Sequence, residues 1–312
     1  MTGNIIRIGT RGSKLALVQT DMVAAGLRAA HPGLQVEIVI INTSGDWKPE
    51  QGETRLSPDA GGKALFAKEI EAAILAGAVD CGVHSLKDMP AILPDGLVID
   101  HVLPRADVRD ALLTNGPQSI MDLPPGAVVG TASLRRQAFV LAKRPDLKVV
   151  PLRGNVPTRI EKLRSGQVDA AILAMAGLTR LGLGHEVAAV MTAEDMLPAG
   201  CQGIVGIERR AGDARTGAWL DALHDFETGL CAVAERAALA ALGGSCHTPV
   251  GALAVRDGDT MRLRLKLADP DGSRFFEETV SETVRTAADA DLLGTAAGET
   301  LRRISPAELL AA

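Results

Sequence analysis

The sequence predicts an α/β protein with two similar lobes, each built on a mixed, largely parallel sheet, and a small C-terminal α+β domain with a three-stranded antiparallel sheet. Apolar strands alternate with helix-period segments through the first two thirds of the chain, which favours parallel sheets covered by helices. A strand–Gly-Thr–Ser–helix unit occurs twice, at 5–27 and at 128–142. After Phe226 the alternation gives way to strands punctuated by Asp-Gly turns. At 312 residues, 46% hydrophobic and 23% charged, the chain has the length and apolar content for two or three ordinary cores.

The first strand is expected at 5–10 ("IIRIGT"), followed by a helix from near Ser13 on which Leu15, Val18, Met22, Val23 and Leu27 recur at helical spacing. A second strand is expected at 35–43. "VVGTASLRRQAFVLA" (128–142) repeats the first design, and the likeness extends further: "IEAAILAGAVDCGVHS" (70–85) and "IEKLRSGQVDAAILAM" (160–175) both show a helix, a glycine, x-Val-Asp and a small-residue apolar strand. The spacing slips by one residue, so the repeat is weak by itself. The expected domains are 1–103 with 200–221, then 104–199, then 222–312. The last opens with a helix at about 226–242 and continues with strands in "VGALAVRD", "TMRLRLKLAD" and "SRFFEETV". Asp257-Gly258-Asp259 and Pro270-Asp271-Gly272 are the hairpin turns, and a helix at about 286–303 closes the chain.

The N-terminal residues show no basic region followed by a long apolar stretch, so no secretory signal is expected. No apolar run approaches the ~18 residues of a membrane span. Four scattered cysteines do not make a disulfide framework, which points to a reducing, cytoplasmic setting. A net charge of -5 with 2% aromatics argues against a nucleic-acid surface. Cys246-His247 lacks a C-x-x-C or a second histidine at ligand spacing, so no metal is expected.

Helix starts favour negative charge, because their free N–H groups carry partial positive charge. Yet "GTASLRRQ" puts Arg135 and Arg136 in or near the first turn of the second lobe's helix, and "GTRGSKLAL" puts Arg11 and Lys14 at the start of the first. This locally unfavourable choice, made twice, points to a bound anion at each turn, where serine and backbone N–H groups donate and arginine adds a bidentate grip. Arg153 and Arg159 follow a strand in "PLRGNVPTRIEKL", and Arg180 comes after "AAILAMAGL". Any one of them alone reads as a solvated surface charge. Together, beside strand ends and helix starts, they imply a polyanionic ligand in a cleft between the lobes.

In "VHSLKDMP" (83–90), Lys87 and Asp88 leave an apolar strand and stop at Met89-Pro90. The residues alone leave two readings open: a turn-former or surface pair, or a carboxylate that works as general acid and base and stabilises a developing cation. "LGGSCHTPVGA" (242–252) sets Cys246 in a glycine-serine loop, whereas Cys81 sits in an apolar strand as a small hydrophobe.

The blocks "RIGTRGSKLALVQ", "GGKALFAKE", "VHSLKDMP", "GTASLRRQ", "LRGNVPTR", "DAAILAMAGLTRLG", "GIVGIE" and "GGSCHTPVGA" resemble, in order and approximate spacing, the porphobilinogen deaminase (hydroxymethylbilane synthase) family. The resemblance covers essentially the whole chain. It implies a bilobal, periplasmic-binding-protein-like pair of lobes and the stepwise head-to-tail condensation of porphobilinogen, with release of ammonia, into the linear tetrapyrrole hydroxymethylbilane. It implies a dipyrromethane cofactor, made from the substrate and attached by a thioether to Cys246. It further implies that Lys87, Thr131, Ser133, Arg135 and Arg136 hold cofactor carboxylates, and that Arg11, Ser13, Arg153, Arg159 and Arg180 grip substrate or later rings. Asp88 matches the family's catalytic aspartate. Lys63 and Phe66 match a loop near the cleft, and the stretch from Asp46 to Gly62, rich in Gly, Pro and charge, reads as such a loop on composition as well. The implied setting is a cytoplasmic monomer acting on porphobilinogen, without nucleic acid or membrane, whose product passes to uroporphyrinogen-III synthase.

Two positions depart from the family pattern. Cys201 stands where glycine is usual before Gln-Gly, and Asp59 precedes "GGKALF" where some relatives carry lysine. Two other classes fit part of the chain. A non-enzymatic bilobal binding protein for a polycarboxylate needs neither Cys246, Asp88 nor the third domain. A thiol enzyme pairing Cys246 with His247 is disfavoured, because adjacent residues in an extended loop seldom point the same way.

Overall fold

The computed structural model describes residues 4–44, 65–243 and 248–310, so Asp59, Lys63, Cys246 and His247 lie outside the described residues. The described chain forms two compact units, one of residues 4–44, 65–106 and 203–229, the other of residues 107–202, 230–243 and 248–310.

The first unit is a five-stranded sheet in the order β2-β1-β3-β10-β4, formed by β1 (Ile5–Thr10), β2 (Gln35–Ile40), β3 (Cys81–Ser85), β4 (Leu97–Val102) and β10 (Val205–Arg210). The first three strands are mutually parallel, and β10 runs antiparallel to both β3 and β4. Helices α1 (Lys14–Ala30), α2 (Lys68–Leu75) and α6 (Ala214–Leu220) belong to this unit, whose main core joins Ile6, Ile8, Val23, Leu27, Val205 and Leu220. Helix α1 buries Ala16, Gln19, Thr20, Val23, Ala24 and Leu27. Met22, placed on the apolar stripe by its spacing, is exposed instead. The reason is that the inner face is small and partly polar: Gln19 Nε2 donates to Ser85 Oγ at 2.9 Å and Thr20 Oγ1 to Thr10 Oγ1 at 2.7 Å.

The second unit holds a sheet of the same pattern, β7-β6-β8-β5-β9, from β5 (Asp110–Thr114), β6 (Val128–Gly130), β7 (Lys148–Val150), β8 (Ala170–Ala174) and β9 (Ala189–Met191). Here β6, β7 and β8 are parallel and β5 runs antiparallel to β8 and β9. Helices α3 (Leu134–Lys143), α4 (Val156–Arg164) and α5 (Met175–Arg180) connect them. The repeat seen in the sequence is physical. Val79 and Val168 of the two x-Val-Asp segments each come within 3.1 Å of where a Cβ on Gly9 or Gly130 would sit, so glycine is what lets the strands pack. Asp80 Oδ2 accepts from the Arg7 amide, and Asp169 Oδ2 from the Val128 amide, both at 2.7 Å. The corresponding aspartate thus holds a backbone amide of the first parallel strand in each sheet.

The rest of the second unit is α7 (Phe226–Leu242, from Leu230 onward), the antiparallel strands β11 (Val250–Asp257), β12 (Thr260–Ala268) and β13 (Phe275–Thr283), and helices α8 (Ala287–Ile304) and α9 (Ala307–Leu310). Gly258 and Gly272 take φ of 57° and 77° in the two hairpins, a conformation that glycine adopts at little cost. This part packs on the β5–β9 sheet: Leu253 and Phe275 join the core of Leu112, Val129, Phe139 and Ile172, and Gln137 Nε2 donates to the Pro270 carbonyl at 3.0 Å. Among the described residues, no helix is long and apolar enough to cross a membrane.

Candidate active site

In the first unit the C-terminal ends of β1 and β3 lie side by side, because the strands are adjacent and parallel. Ligands in open α/β sheets bind at such ends. Ser13 caps α1, accepting from the Ala16 amide at 3.4 Å, which leaves Arg11 on the turn between β1 and the helix. The Arg11 guanidinium lies 4.4 Å from the Phe66 ring centroid, a cation–π contact. Arg11 and Phe66, singled out separately in the sequence, are therefore one constellation. After β3, residues Leu86–Asp88 form a single 3₁₀ turn. Leu86 is buried and its amide donates to the Ile204 carbonyl at 3.0 Å; Met89 is buried too, extended ahead of Pro90, and donates back to Leu86 at 3.1 Å. Both flanks of Lys87 and Asp88 are thus pinned, while the two polar side chains stay partly exposed.

The second unit repeats this at the ends of β6, β7 and β8. Ser133 caps α3 by accepting from the Arg136 amide at 3.4 Å, and its own amide donates to Thr131 Oγ1 at 3.2 Å. Asn155 caps α4 at 3.0 Å from the Thr158 amide. Arg153 is nine-tenths buried on the turn before that cap, and Arg159 folds back so that its Nε donates to the Gly154 carbonyl at 2.9 Å. Arg180 ends α5, where burial pushes its guanidinium pKa down, although an arginine stays charged at physiological pH.

Arg135 and Arg136 do not simply point outward. They are 4% and 6% exposed, and both reach Asp110, fully buried at the start of β5. Arg135 donates to Asp110 Oδ2 at 2.7 Å and to the Leu197 carbonyl at 2.7 Å. Arg136 donates to Asp110 Oδ1 through Nε at 3.1 Å and Nη2 at 2.7 Å, and to the Ile172 carbonyl at 2.8 Å. Gln202 Nε2 adds a bond to Asp110 Oδ1 at 3.0 Å and one to the Val108 carbonyl at 2.7 Å. Burial works to raise the Asp110 carboxyl pKa, but the two guanidiniums and their hydrogen bonds outweigh it and hold it well below the usual carboxylate range. The anion expected at this helix start is therefore partly internal. Asp110 and Gln202 were not singled out in the sequence: Asp110 lies 25 residues before its first partner and reads locally as a strand-start charge.

This arrangement of edges and cations runs along a chain that matches, over residues 6–218, the family model "Porphobilinogen deaminase, dipyromethane cofactor binding domain" and, over 229–303, "Porphobilinogen deaminase, C-terminal domain". The chain belongs to the porphobilinogen deaminase family. A porphobilinogen deaminase of Paracoccus denitrificans (strain Pd 1222) is 51% identical over 98% of this chain and 96% of its own length. One of Nitrobacter hamburgensis is 48% identical over 96% of this chain and 94% of its own. Among solved structures, an ABC-transporter periplasmic substrate-binding protein from Coxiella burnetii is similar over 74% of this chain and 96% of its own, with a TM-score of 0.44 and 16% identity.

The matched cofactor domain is named for a dipyrromethane, and cofactors of this kind carry carboxylates that hydroxyls and guanidiniums can hold. The donor set fits such a group. Thr131 and Ser133 bring hydroxyls to the segment that opens α3, the first turn of that helix carries two buried guanidiniums that share one carboxylate, and Arg135 Nε is buried without a hydrogen-bond partner among the described residues.

Proposed function

We infer that the chain condenses porphobilinogen units head to tail, releasing ammonia at each step and giving the linear tetrapyrrole hydroxymethylbilane for porphyrin synthesis. The observation that carries this reading is the match to both deaminase domains along nearly the whole chain.

The finer roles rest on chemistry. Cys246 is the thioether tether of the cofactor. Lys87, Thr131, Ser133, Arg135 and Arg136 hold its carboxylates, and Arg11, Ser13, Arg153, Arg159 and Arg180 take those of incoming or added rings. Each pyrrole brings an acetate and a propionate, so many cations are needed. When bound, the dipyrromethane supplies a nucleophilic pyrrole α-carbon. Asp88, pinned between Leu86 and Met89, accepts and returns protons at pyrrole nitrogen and stabilises the positive charge that develops as ammonia leaves. Phe66 holds the Arg11 guanidinium in place, and Lys63 serves the neighbouring loop. We place the protein in the cytoplasm as a monomer whose product passes to uroporphyrinogen-III synthase.

Intact-protein mass spectrometry with peptide mapping around Cys246 tests this. A mass excess equal to a dipyrromethane on that peptide, with ammonia released on adding porphobilinogen, is the expected result. An unmodified Cys246 that acquires no adduct after incubation with porphobilinogen overturns it.

A further inference from the structure

Two adjacent residues on a helix point about 100° apart, so Arg135 and Arg136 converge only because a shared partner draws them together. That partner is Asp110, which stands opposite Ala174 of β8, at the edge where β6 and β8 end. The charges do not balance: two guanidiniums meet one carboxylate, and all three groups are buried. A plain structural ion pair needs one cation per anion, and surplus buried charge is costly. Both arginines stand in the first turn of α3, which Ser133 caps, and Arg135 Nε is left without a hydrogen-bond partner among the described residues.

We infer that Asp110, steadied by Gln202, is a positioning residue for cofactor capture: it gathers Arg135 and Arg136 into a buried cluster of net charge +1 that draws carboxylates to the β6–α3 turn. Asp110 touches no ligand in this role. It neutralises one of the two cations, fixes the orientation of both, and leaves a single preorganised charge, which is worth more to an incoming anion than two mobile ones. Gln202 completes the fourth hydrogen bond to the carboxylate and ties it to the Val108 carbonyl. The inference rests on the deaminase reading above.

The test uses the full-length chain prepared without cofactor and incubated with porphobilinogen. Growth of the adduct mass is followed at several ionic strengths, well below each variant's melting temperature. Asp110→Asn raises the local charge to +2 and loosens the guanidiniums, so capture slows by about tenfold or more and depends more steeply on salt. Arg135→Gln leaves one cation on one carboxylate, so capture also slows but depends less on salt. A purely structural role lowers stability without changing the salt dependence of the folded protein. Wild-type rate and salt dependence in Asp110→Asn overturn the inference; if that variant does not fold, the same result in Arg135→Gln does so. A wild-type chain that never gains the adduct overturns the deaminase reading itself, and this inference with it.

Discussion

The amide of Cys201 donates to the buried carboxylate of Glu235, and it does so from a left-handed backbone with φ of 61°. Among the described residues no other non-glycine has a positive φ. The second oxygen of Glu235 accepts from the Ala254 amide at 2.7 Å, so the carboxylate joins residue 201, α7 and β11 within the second unit. A glycine would take this backbone more readily, since left-handed backbone costs an L-residue roughly 1–2 kcal/mol.

The consequence is an unusual order of substitutions at position 201. Cys201→Gly relieves the strain but gives up a small buried side chain, and these nearly cancel, leaving stability within about 1 kcal/mol of the wild type. Cys201→Val adds a β-branched side chain at positive φ and should cost about 2 kcal/mol or more. Urea denaturation of the two variants checks this. If valine is tolerated as well as glycine, the backbone does not control the site.

Gly294 and Gly298 lie on one face of α8, where added Cβ atoms would come within 2.2 Å of the Ala234 carbonyl oxygen and 2.3 Å of that of Ala238 on α7. Helix propensity alone favours Gly298→Ala by about 1 kcal/mol. The contact is with a neighbouring backbone that has no rotamer to change, so overpacking of about 1–3 kcal/mol wins. The urea midpoint of Gly298→Ala therefore falls, whereas an exposed helical glycine so replaced would raise it.

Much of this architecture is legible in the sequence because it is local. The Asp-Gly hairpins, the serine caps at Ser13 and Ser133 and the x-Val-Asp repeat each depend on residues within a few positions of one another. What escapes is long-range. Met22 fits the apolar period of α1 yet is exposed, because the inner face is chosen by Ser85 and Thr10, which offer hydrogen bonds to Gln19 and Thr20. Asp110 escapes for the same reason: its meaning lies in Arg135, Arg136 and Gln202, which only the sheet brings to it. Positive charge at a helix start was legible as a demand for an anion, but nothing local says that the protein supplies part of that anion itself.

Glu71 of α2 is buried near Glu208 and His84, whose Nε2 stands 3.1 Å from Glu208 Oε2. Burial first, and then the Glu208 charge, push the Glu71 carboxyl pKa up from its ordinary 4.5. Well below pH 4.5 this glutamate is protonated in both folded and unfolded chains and imposes no penalty. As pH rises through its elevated folded pKa, the folded state must either hold the proton or bear the charge, and stability is lost. Glu71→Gln removes that loss. Its melting temperature should exceed the wild type's at neutral pH, by about 2–4 °C for each kcal/mol relieved, with the difference shrinking to nothing in acid. A constant difference across pH would mean that Glu71 does not titrate as its surroundings require.

Asp88 offers the sharpest separation of chemistry from folding. Its neighbours Leu86 and Met89 are buried and hydrogen-bonded through their amides, while its own side chain is partly exposed. Asp88→Asn keeps the shape and removes the ability to carry a proton or oppose a cation. The variant should melt close to the wild type and retain its adduct by intact mass. Loss of proton transfer alone is worth about 10²–10⁴-fold, so ammonia release per molecule should fall by at least a hundredfold. The loss belongs in kcat rather than KM, because the arginines and lysine proposed to bind carboxylates are untouched. Near-normal ammonia release would remove Asp88 from the reaction, and a normal kcat with raised KM would reassign it to substrate binding.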